Sequence, residues 1–270
     1  MDKINIMMIG AHPDDCDFRC GGTAIKYLRS GCRVMFLSMT NGCNGHHLDF
    51  GSALASRRRE ETGAAAKLLG IDYRVLDIPD GSLTAELRYR DMLMREIRAF
   101  MPDVIITHRS NDYHPDHRSA GTLVTDCSYL VMVPGITADS PPLKKAPFIF
   151  YMTDSFTFPA PFTPDAVVAV DDVLEEKTAL LNCHASQVYE WLPWVEGYSQ
   201  EVPPAGEGAK RLSWLKDRIK NMDAPGDTCR ELLIKRYGRG KGAAVTCCES
   251  FQLCEYGARG DAKKITELFP

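Results

Sequence analysis

The sequence predicts an α/β fold of the Rossmann-like type, with a mostly parallel sheet, helices on both faces and a C-terminal cap region. Two observations support this prediction. Apolar runs of strand length alternate four times with helix-length segments over the first two thirds of the chain. Glycine follows several of these segments where a helix would end, as at Gly31 and Gly70. Such alternation implies right-handed βαβ crossovers and a sheet that is covered on both faces.

The elements follow from these patterns in chain order. We predict strands at 4–9, 33–39, 73–78 and 103–107, and helices at 21–30, 54–69, 86–100 and 116–130. The last third is less regular, with short strands at 148–152, 167–170 and 245–256 and helices at 173–183 and 210–221. We therefore expect a catalytic core at 1–184, a cap or loop insertion over the site at 185–240, and a segment at 241–270 that returns to the core.

Composition limits the class of protein. The chain has 270 residues, 44% of them apolar and 25% charged, with a net charge of -4, values that are ordinary for a globular protein. No basic face suggests a nucleic-acid partner, and no apolar stretch reaches the ~18 residues of a membrane span. The N-terminus lacks the features of a secretory signal, which predicts a cytoplasmic protein. Oligomeric state is left open, and a homo-oligomer is one alternative.

Ten cysteines raise the question of disulfides or a zinc knuckle. They form no C-x-x-C pair, and nothing in the sequence predicts export. We therefore expect reduced and mostly buried thiols, which act as small apolar side chains.

Two polar motifs carry the candidate chemistry. Residues 11–15 (Ala-His-Pro-Asp-Asp) follow the first strand, and residues 112–117 (Asp-Tyr-His-Pro-Asp-His) follow the fourth. In parallel sheets, ligands bind beyond the carboxyl ends of the strands, so both motifs are expected at one edge. Each motif alone also has a non-catalytic interpretation. The first could simply cap a helix, and the histidines of the second could be surface residues spaced one helical turn apart. Together they place three histidines and four aspartates at the same edge.

Histidine nitrogen and aspartate oxygen are natural ligands of Zn²⁺. A catalytic zinc uses three protein ligands and leaves one position for water, a set that His12, Asp15 and His117 complete. Acid, base and orienting roles are then left for Asp14, His114 and Asp116.

The motifs resemble those of the PIG-L or LmbE-like family, the N-acetylglucosaminyl-phosphatidylinositol de-N-acetylases. The matching pieces are residues 10–15 and 21–23, Arg58-x-x-Glu61, 64–71, 102–108, 114–117, and more weakly 176–177 and 184–187. The resemblance implies a Rossmann-like fold with one Zn²⁺ per chain held by His12, Asp15 and His117; another divalent metal is the alternative. It also implies removal of an acetyl group from an N-acetylglucosamine-like sugar or sugar conjugate.

The resemblance makes Asp14 the general base that takes a proton from the attacking water. His114 would stabilise the tetrahedral oxyanion, and Asp116 would orient His114. One departure from the family pattern is Cys16, which stands where the family often has glutamate.

Four further residues are predicted to contact the substrate, and each has a plain alternative. Arg58 could bind sugar hydroxyls or a phosphate, or form a surface ion pair with Glu61. Asp80 could accept a hydrogen bond from a sugar hydroxyl, or only stabilise the turn at residues 79–81. Asn41 follows the second strand at the same edge, and His184 could reach the site from the cap or simply end a helix.

Two other functions compete with this prediction. A single-metal hydrolase of another kind, such as a phosphoesterase, remains an alternative, although two-metal phosphoesterases need more acidic ligands than can be assigned. A nucleotide-binding α/β protein is the other, but residues 10–13 lack the G-x-G-x-x-G pattern of such folds.

Overall fold

The fold is a single seven-stranded sheet with helices on both faces, as the sequence predicts. A computed structural model describes residues 3–270. The strand order is β3-β2-β1-β4-β5-β7-β6, and β7 runs in the direction opposite to the other six strands. The strands are β1 Asn5–Gly10, β2 Arg33–Ser38, β3 Asp72–Val75, β4 Val104–Thr107, β5 Phe148–Met152, β6 Ala166–Ala169 and β7 Cys248–Leu253.

Helices fill both faces and the C-terminal third. They are α1 Asp15–Arg29, α2 Gly51–Leu69, α3 Leu87–Phe100, α4 Pro115–Leu130, α5 Leu174–Asn182, α6 Leu192–Val195, α7 Gly208–Met222, α8 Asp227–Tyr237, α9 Arg239–Ala244 and α10 Ala262–Leu268. A π-helical segment, Ser186–Trp191, runs directly into α6. The sequence patterns did not reveal α6, α8, α9, α10 or the π-helical segment.

Helix α1 begins six residues before the predicted start at residue 21, so that boundary was wrong. The pair Gly21-Gly22, which we interpreted as the opening of the helix, lies in its middle. A Cβ atom on Gly22 would come within 2.7 Å of Val170. The glycine therefore marks close packing of α1 on the sheet rather than the start of a helix.

The apolar core has two layers, one on each face of the sheet. Alternate residues of β1 point to opposite faces, so Ile6 and Met8 join one cluster while Met7 and Ile9 join the other. Helices α1 and α5 pack on the first face, and α3 and α4 pack on the second. Because β1 and β4 are adjacent and parallel, with Ile9 opposite Thr107, the residues that follow both strands meet at one edge.

The segment predicted as a cap, 185–240, has parts in different surroundings. Residues of the π-helical segment and α6 border the cavity described below. Helix α7 packs against α5, and α8 packs against β6 and α9. The division into 1–184, 185–240 and 241–270 stays a prediction.

Two expectations from composition have a structural outcome. Within residues 3–270, no helix is long and apolar enough to cross a membrane. No disulfide joins the cysteines of the same range, and eight of the ten are buried, as expected of thiols that act as small apolar side chains.

Candidate metal centre and its cavity

A cavity of 760 Å³ opens at the carboxyl edge of the sheet, where the two polar motifs meet. Seven of the ten residues predicted for the site line this cavity: His12, Asp14, Asp15, Arg58, Asp80, His114 and His117. The remaining three, Asn41, Asp116 and His184, lie behind its wall.

The three predicted metal ligands lie close together, with His12 and His117 near different oxygens of Asp15. The His12 Nδ1 and His117 Nε2 atoms are 3.1 Å apart, and His117 Nε2 is 3.4 Å from Asp15 Oδ1. The His12 Nδ1 atom is 3.6 Å from Asp15 Oδ2. Ligands of a tetrahedral zinc with bonds of 2.0–2.1 Å are about 3.3 Å apart. The donor types and their spacing therefore fit a Zn²⁺ ion.

The outer nitrogen of each histidine faces carboxylates. The His12 Nε2 atom lies 3.3 Å from Asp80 Oδ1 and 3.5 Å from Asp116 Oδ2, and His117 Nδ1 lies 3.1 Å from Asp112 Oδ1. Neither outer nitrogen makes a hydrogen bond of standard geometry, but carboxylates at these distances favour a proton on the outer nitrogen and leave the inner nitrogen for a metal. Burial lowers the pKa of both histidines, but these carboxylates and Asp15 outweigh it, raising the pKa of His117 to about 9 and that of His12 well above its usual value.

His108 is a site residue to which the sequence analysis gave no role. Its Nε2 atom lies 3.1 Å from Asp15 Oδ2, and its ring stacks on His117 with centroids 4.1 Å apart. The backbone N–H of His12 also donates to Asp15 Oδ2, at 2.7 Å. The Asp15 Oδ2 atom is thus held by the His12 N–H and His108, and Oδ1 is the oxygen that lies nearer to His117 Nε2. A signal was available, since His108 directly follows β4.

Arg58 is bound to the base candidate rather than exposed to solvent. It is 2% exposed, and its Nη2 lies 3.1 Å from Asp14 Oδ2 and donates to the Pro13 carbonyl. Burial raises the pKa of Asp14 to about 6, although the charge of Arg58 opposes this rise. The alternative, a surface ion pair between Arg58 and Glu61, is not the main contact, because the two groups are 4.0 Å apart. Glu61 instead accepts hydrogen bonds from the N–H and the Oγ–H of Ser186. This contact fixes the π-helical segment over the cavity.

The contact between His114 and Asp116 runs through the main chain. The backbone N–H of Asp116 donates to His114 Nδ1 at 3.2 Å, which caps α4. The Asp116 carboxylate is fully buried and accepts hydrogen bonds from the backbone N–H groups of Gly81 and Leu83, beside His12. Its side chain therefore supports His12 and the 81–83 loop, and not His114 as the sequence-based hypothesis has it.

Two predicted substrate contacts are engaged elsewhere in the protein. The Asn41 amide donates to Asp77, and its oxygen accepts from the Cys43 N–H. His184 is fully buried, with Nε2 3.2 Å from Asp17 Oδ1. Neither side chain lines the cavity: Asn41 is held by hydrogen bonds to the 43 and 77 positions, and His184 is buried beside Asp17.

Cys16, the departure from the family pattern, faces away from the metal point. Its side chain is 1% exposed and belongs to the apolar core beneath α1. Burial raises the pKa of its thiol well above the usual value, so the thiol is neutral. We conclude that Cys16 fills the core and does not contact a metal in the cavity.

The sheet topology and the His/Asp cluster at its carboxyl edge define a Rossmann-like α/β protein with a candidate metal centre. Among known proteins, residues 7–128 match the PIG-L family, described as GlcNAc-PI de-N-acetylase. The chain is 30% identical over 206 residues to a diacetylchitobiose deacetylase of Thermococcus kodakarensis, covering 72% of this chain and 74% of that protein. The chain belongs to the PIG-L family and is a hydrolase of the deacetylase type.

Two solved structures share the fold. The N,N'-diacetylchitobiose deacetylase from Pyrococcus horikoshii aligns with a TM-score of 0.67 and 24% identity, covering 94% of this chain and 85% of that one. GalB, a 4-carboxy-2-hydroxymuconate hydratase from Pseudomonas putida, aligns with a TM-score of 0.72 and 19% identity, covering 95% and 98%. At these identities the likeness establishes the fold alone.

Proposed function

We propose that this protein is a zinc-dependent N-deacetylase that releases acetate from an N-acetylated amino sugar or its conjugate. The observation that carries the proposal is the convergence of His12, Asp15 and His117 beside a buried carboxylate, Asp14, in one cavity. Zn²⁺ held by these ligands supplies the Lewis acidity that makes water a nucleophile near neutral pH. The sugar specificity rests on family membership and on the names of relatives such as the diacetylchitobiose deacetylase.

Asp14 has the properties of the general base. Burial raises its pKa to about 6, which is near the optimum for a group that takes a proton at neutral pH. Arg58 holds one carboxylate oxygen, Oδ2, at 3.1 Å. The same carboxyl group, once protonated, can pass its proton to the departing amine.

His114 has the properties of a hydrogen-bond donor to the developing oxyanion. Burial lowers the pKa of His114, and the neighbouring His12 and His117 lower it further, which favours the neutral ring. Because Nδ1 accepts the Asp116 N–H, the proton of the neutral ring is on Nε2. An N–H that is fixed in this way before reaction is what oxyanion stabilisation requires.

A cluster of polar atoms beside Gly45 suits a sugar hydroxyl. A Cβ atom placed on Gly45 would be 3.4 Å from Asp80 Oδ2, and 3.9 Å from both Arg58 Nη1 and Trp191 Nε1. One acceptor and two donors therefore surround a space that the missing side chain leaves open. This arrangement supports the predicted substrate roles of Arg58 and Asp80 and adds Trp191 to them.

The proposal is tested by incubating the zinc-loaded protein with a panel of N-acetylated sugars, including N,N'-diacetylchitobiose, and measuring acetate. We expect acetate release that stops after chelation and returns with added Zn²⁺. A matched pair of variants tests the hydroxyl site: Gly45→Ala should raise KM, whereas Gly63→Ala, on the exposed face of α2 with open space around it, should not. Hydration of an unsaturated dicarboxylate without acetate release from any sugar would refute the proposal.

The cytoplasmic location and the option of a homo-oligomer stay predictions from the sequence.

A further inference from the structure

Arg19 is a cavity-lining cation with no protein partner. It lies on α1 one turn after Asp15, so the two Cα atoms are about 6 Å apart along the helix and share a face. Its side chain is partly buried, yet within residues 3–270 its guanidinium makes no hydrogen bond and no ion pair. Five N–H donors are therefore available at the cavity wall.

The other two arginines of the cavity wall form ion pairs and hydrogen bonds within the protein. Arg58 binds Asp14 and the Pro13 carbonyl. Arg109 forms a two-point contact with Asp154 and also donates to the carbonyls of Ala160 and Phe156. These arginines hold the protein together, whereas Arg19 contributes nothing comparable to the fold.

The nearest competing account is that Arg19 balances a buried acidic cluster. Burial raises the pKa of Asp223, and Lys177 and the more weakly acting Arg19 offset part of this rise. However, Lys177 Nζ already donates to both Asp223 and Glu249 at 2.7 Å. Glu249 also accepts the N–H groups of Gly22 and Thr23. The carboxylates of the cluster thus have partners without Arg19.

We propose that Arg19 binds an anionic group of the substrate, a carboxylate or a phosphate carried by the amino sugar away from its acetamide. A guanidinium fork matches both groups and contacts either one through two parallel hydrogen bonds. Asp15 marks the metal point, and Arg19 follows it by one helical turn on the wall of the same cavity. This inference rests on the proposed function, because it names the class of substrate that the same cavity takes.

The test measures binding of non-hydrolysable deacetylated sugars, so that its outcome does not depend on turnover. The zinc-loaded protein is titrated calorimetrically with three anionic sugars: glucosamine 1-phosphate, glucosamine 6-phosphate and muramic acid. Methyl glucosaminide, which carries no anionic group, is the reference. We expect at least one anionic sugar to bind about tenfold to a hundredfold more tightly than the reference, the value of a charged hydrogen bond. The two phosphates and the carboxylate of muramic acid distinguish the two sources of the anion.

Variants assign the preference to a residue. Arg19→Met should abolish the advantage of the anionic sugar, and Arg19→Lys should restore part of it. Arg29→Met is the matched control, because it removes the same charge from the same helix. The partners of Arg29, Asp172 and Glu176, are exposed. The advantage should also shrink at high salt.

Two results would overturn the inference. One is wild-type protein that binds all three anionic sugars no better than the reference. The other is an anion preference that survives Arg19→Met, with or without a loss of thermal stability in that variant. Failure of the proposed function looks different, because no acetate would be released from the N-acetylated sugars whatever the calorimetry shows.

Discussion

Replacing Arg58 by methionine tests how the base candidate is held. Arg58 is 2% exposed and Asp14 is 7% exposed, and the two side chains are 3.1 Å apart. The substitution keeps an unbranched apolar stem and removes the guanidinium with its charge. It leaves the Asp14 carboxylate in a buried position without its cationic partner.

The expected effects are large in both stability and catalysis. Removing one partner of a buried ion pair costs about 3–5 kcal/mol, which corresponds to a fall in Tm of at least about 6 °C in a chain of this size. Loss of an aligned general base costs about 10²–10⁴ in rate, so kcat should fall. The KM should rise as well, by about tenfold or more, because Arg58 Nη1 borders the space beside Gly45.

Urea denaturation and steady-state acetate release measure the two effects. The control is Arg57→Met on the same helix, whose half-exposed contacts to Glu190 and Asp49 should be worth about 1 kcal/mol or less. A double variant that also carries Asp14→Asn should be more stable than the sum of the two single losses predicts, because no charge is then left unpaired.

Separate measurement of kcat and KM distinguishes the two roles of Arg58, which are to hold Asp14 and to bind substrate. An unchanged kcat with a raised KM would mean that Arg58 serves only substrate binding. If Arg58→Met and Arg57→Met lowered the free energy of unfolding equally, the buried ion pair between Arg58 and Asp14 would not explain the loss in Arg58→Met.

Three more predictions follow from the same structure. Asp14→Asn should retain its zinc and lose about 10²–10⁴ in kcat, so full activity in acetate release would exclude Asp14 as the base. His117→Ala should lose its metal, and elemental analysis that finds one zinc per chain would contradict the ligand set. Lys177→Met should cost about 3–5 kcal/mol in urea denaturation, because it leaves Asp223 and Glu249 buried together without their cation. A loss below about 1 kcal/mol would show that this cluster does not need its lysine.

Local patterns predicted most of the fold because they record which face of each element is buried. The apolar runs before His12 and His108 mark β1 and β4 correctly, and Gly70 ends α2 in the left-handed conformation that favours glycine. The predicted start of α1 was wrong because glycine is needed at position 22 for close contact with Val170, a residue far away in the sequence. Helices α8 and α9 pack partly against each other and bury few residues, so their apolar periodicity is weak.

The sequence by itself determined the metal-ligand candidates, because His12, Asp15 and His117 stand at fixed offsets from the ends of two strands. Adjacent parallel strands must bring such residues together at one edge. Only the tertiary structure decided which groups support them: Asp112 and His108 beside the ligands, Arg58 on the base, and Asp116 turned toward His12. The same holds for His184, which is buried beside Asp17, and for Arg19, which makes no hydrogen bond or ion pair with any residue from 3 to 270. Side-chain partners depend on distances between segments far apart in the chain, and local patterns do not encode those distances.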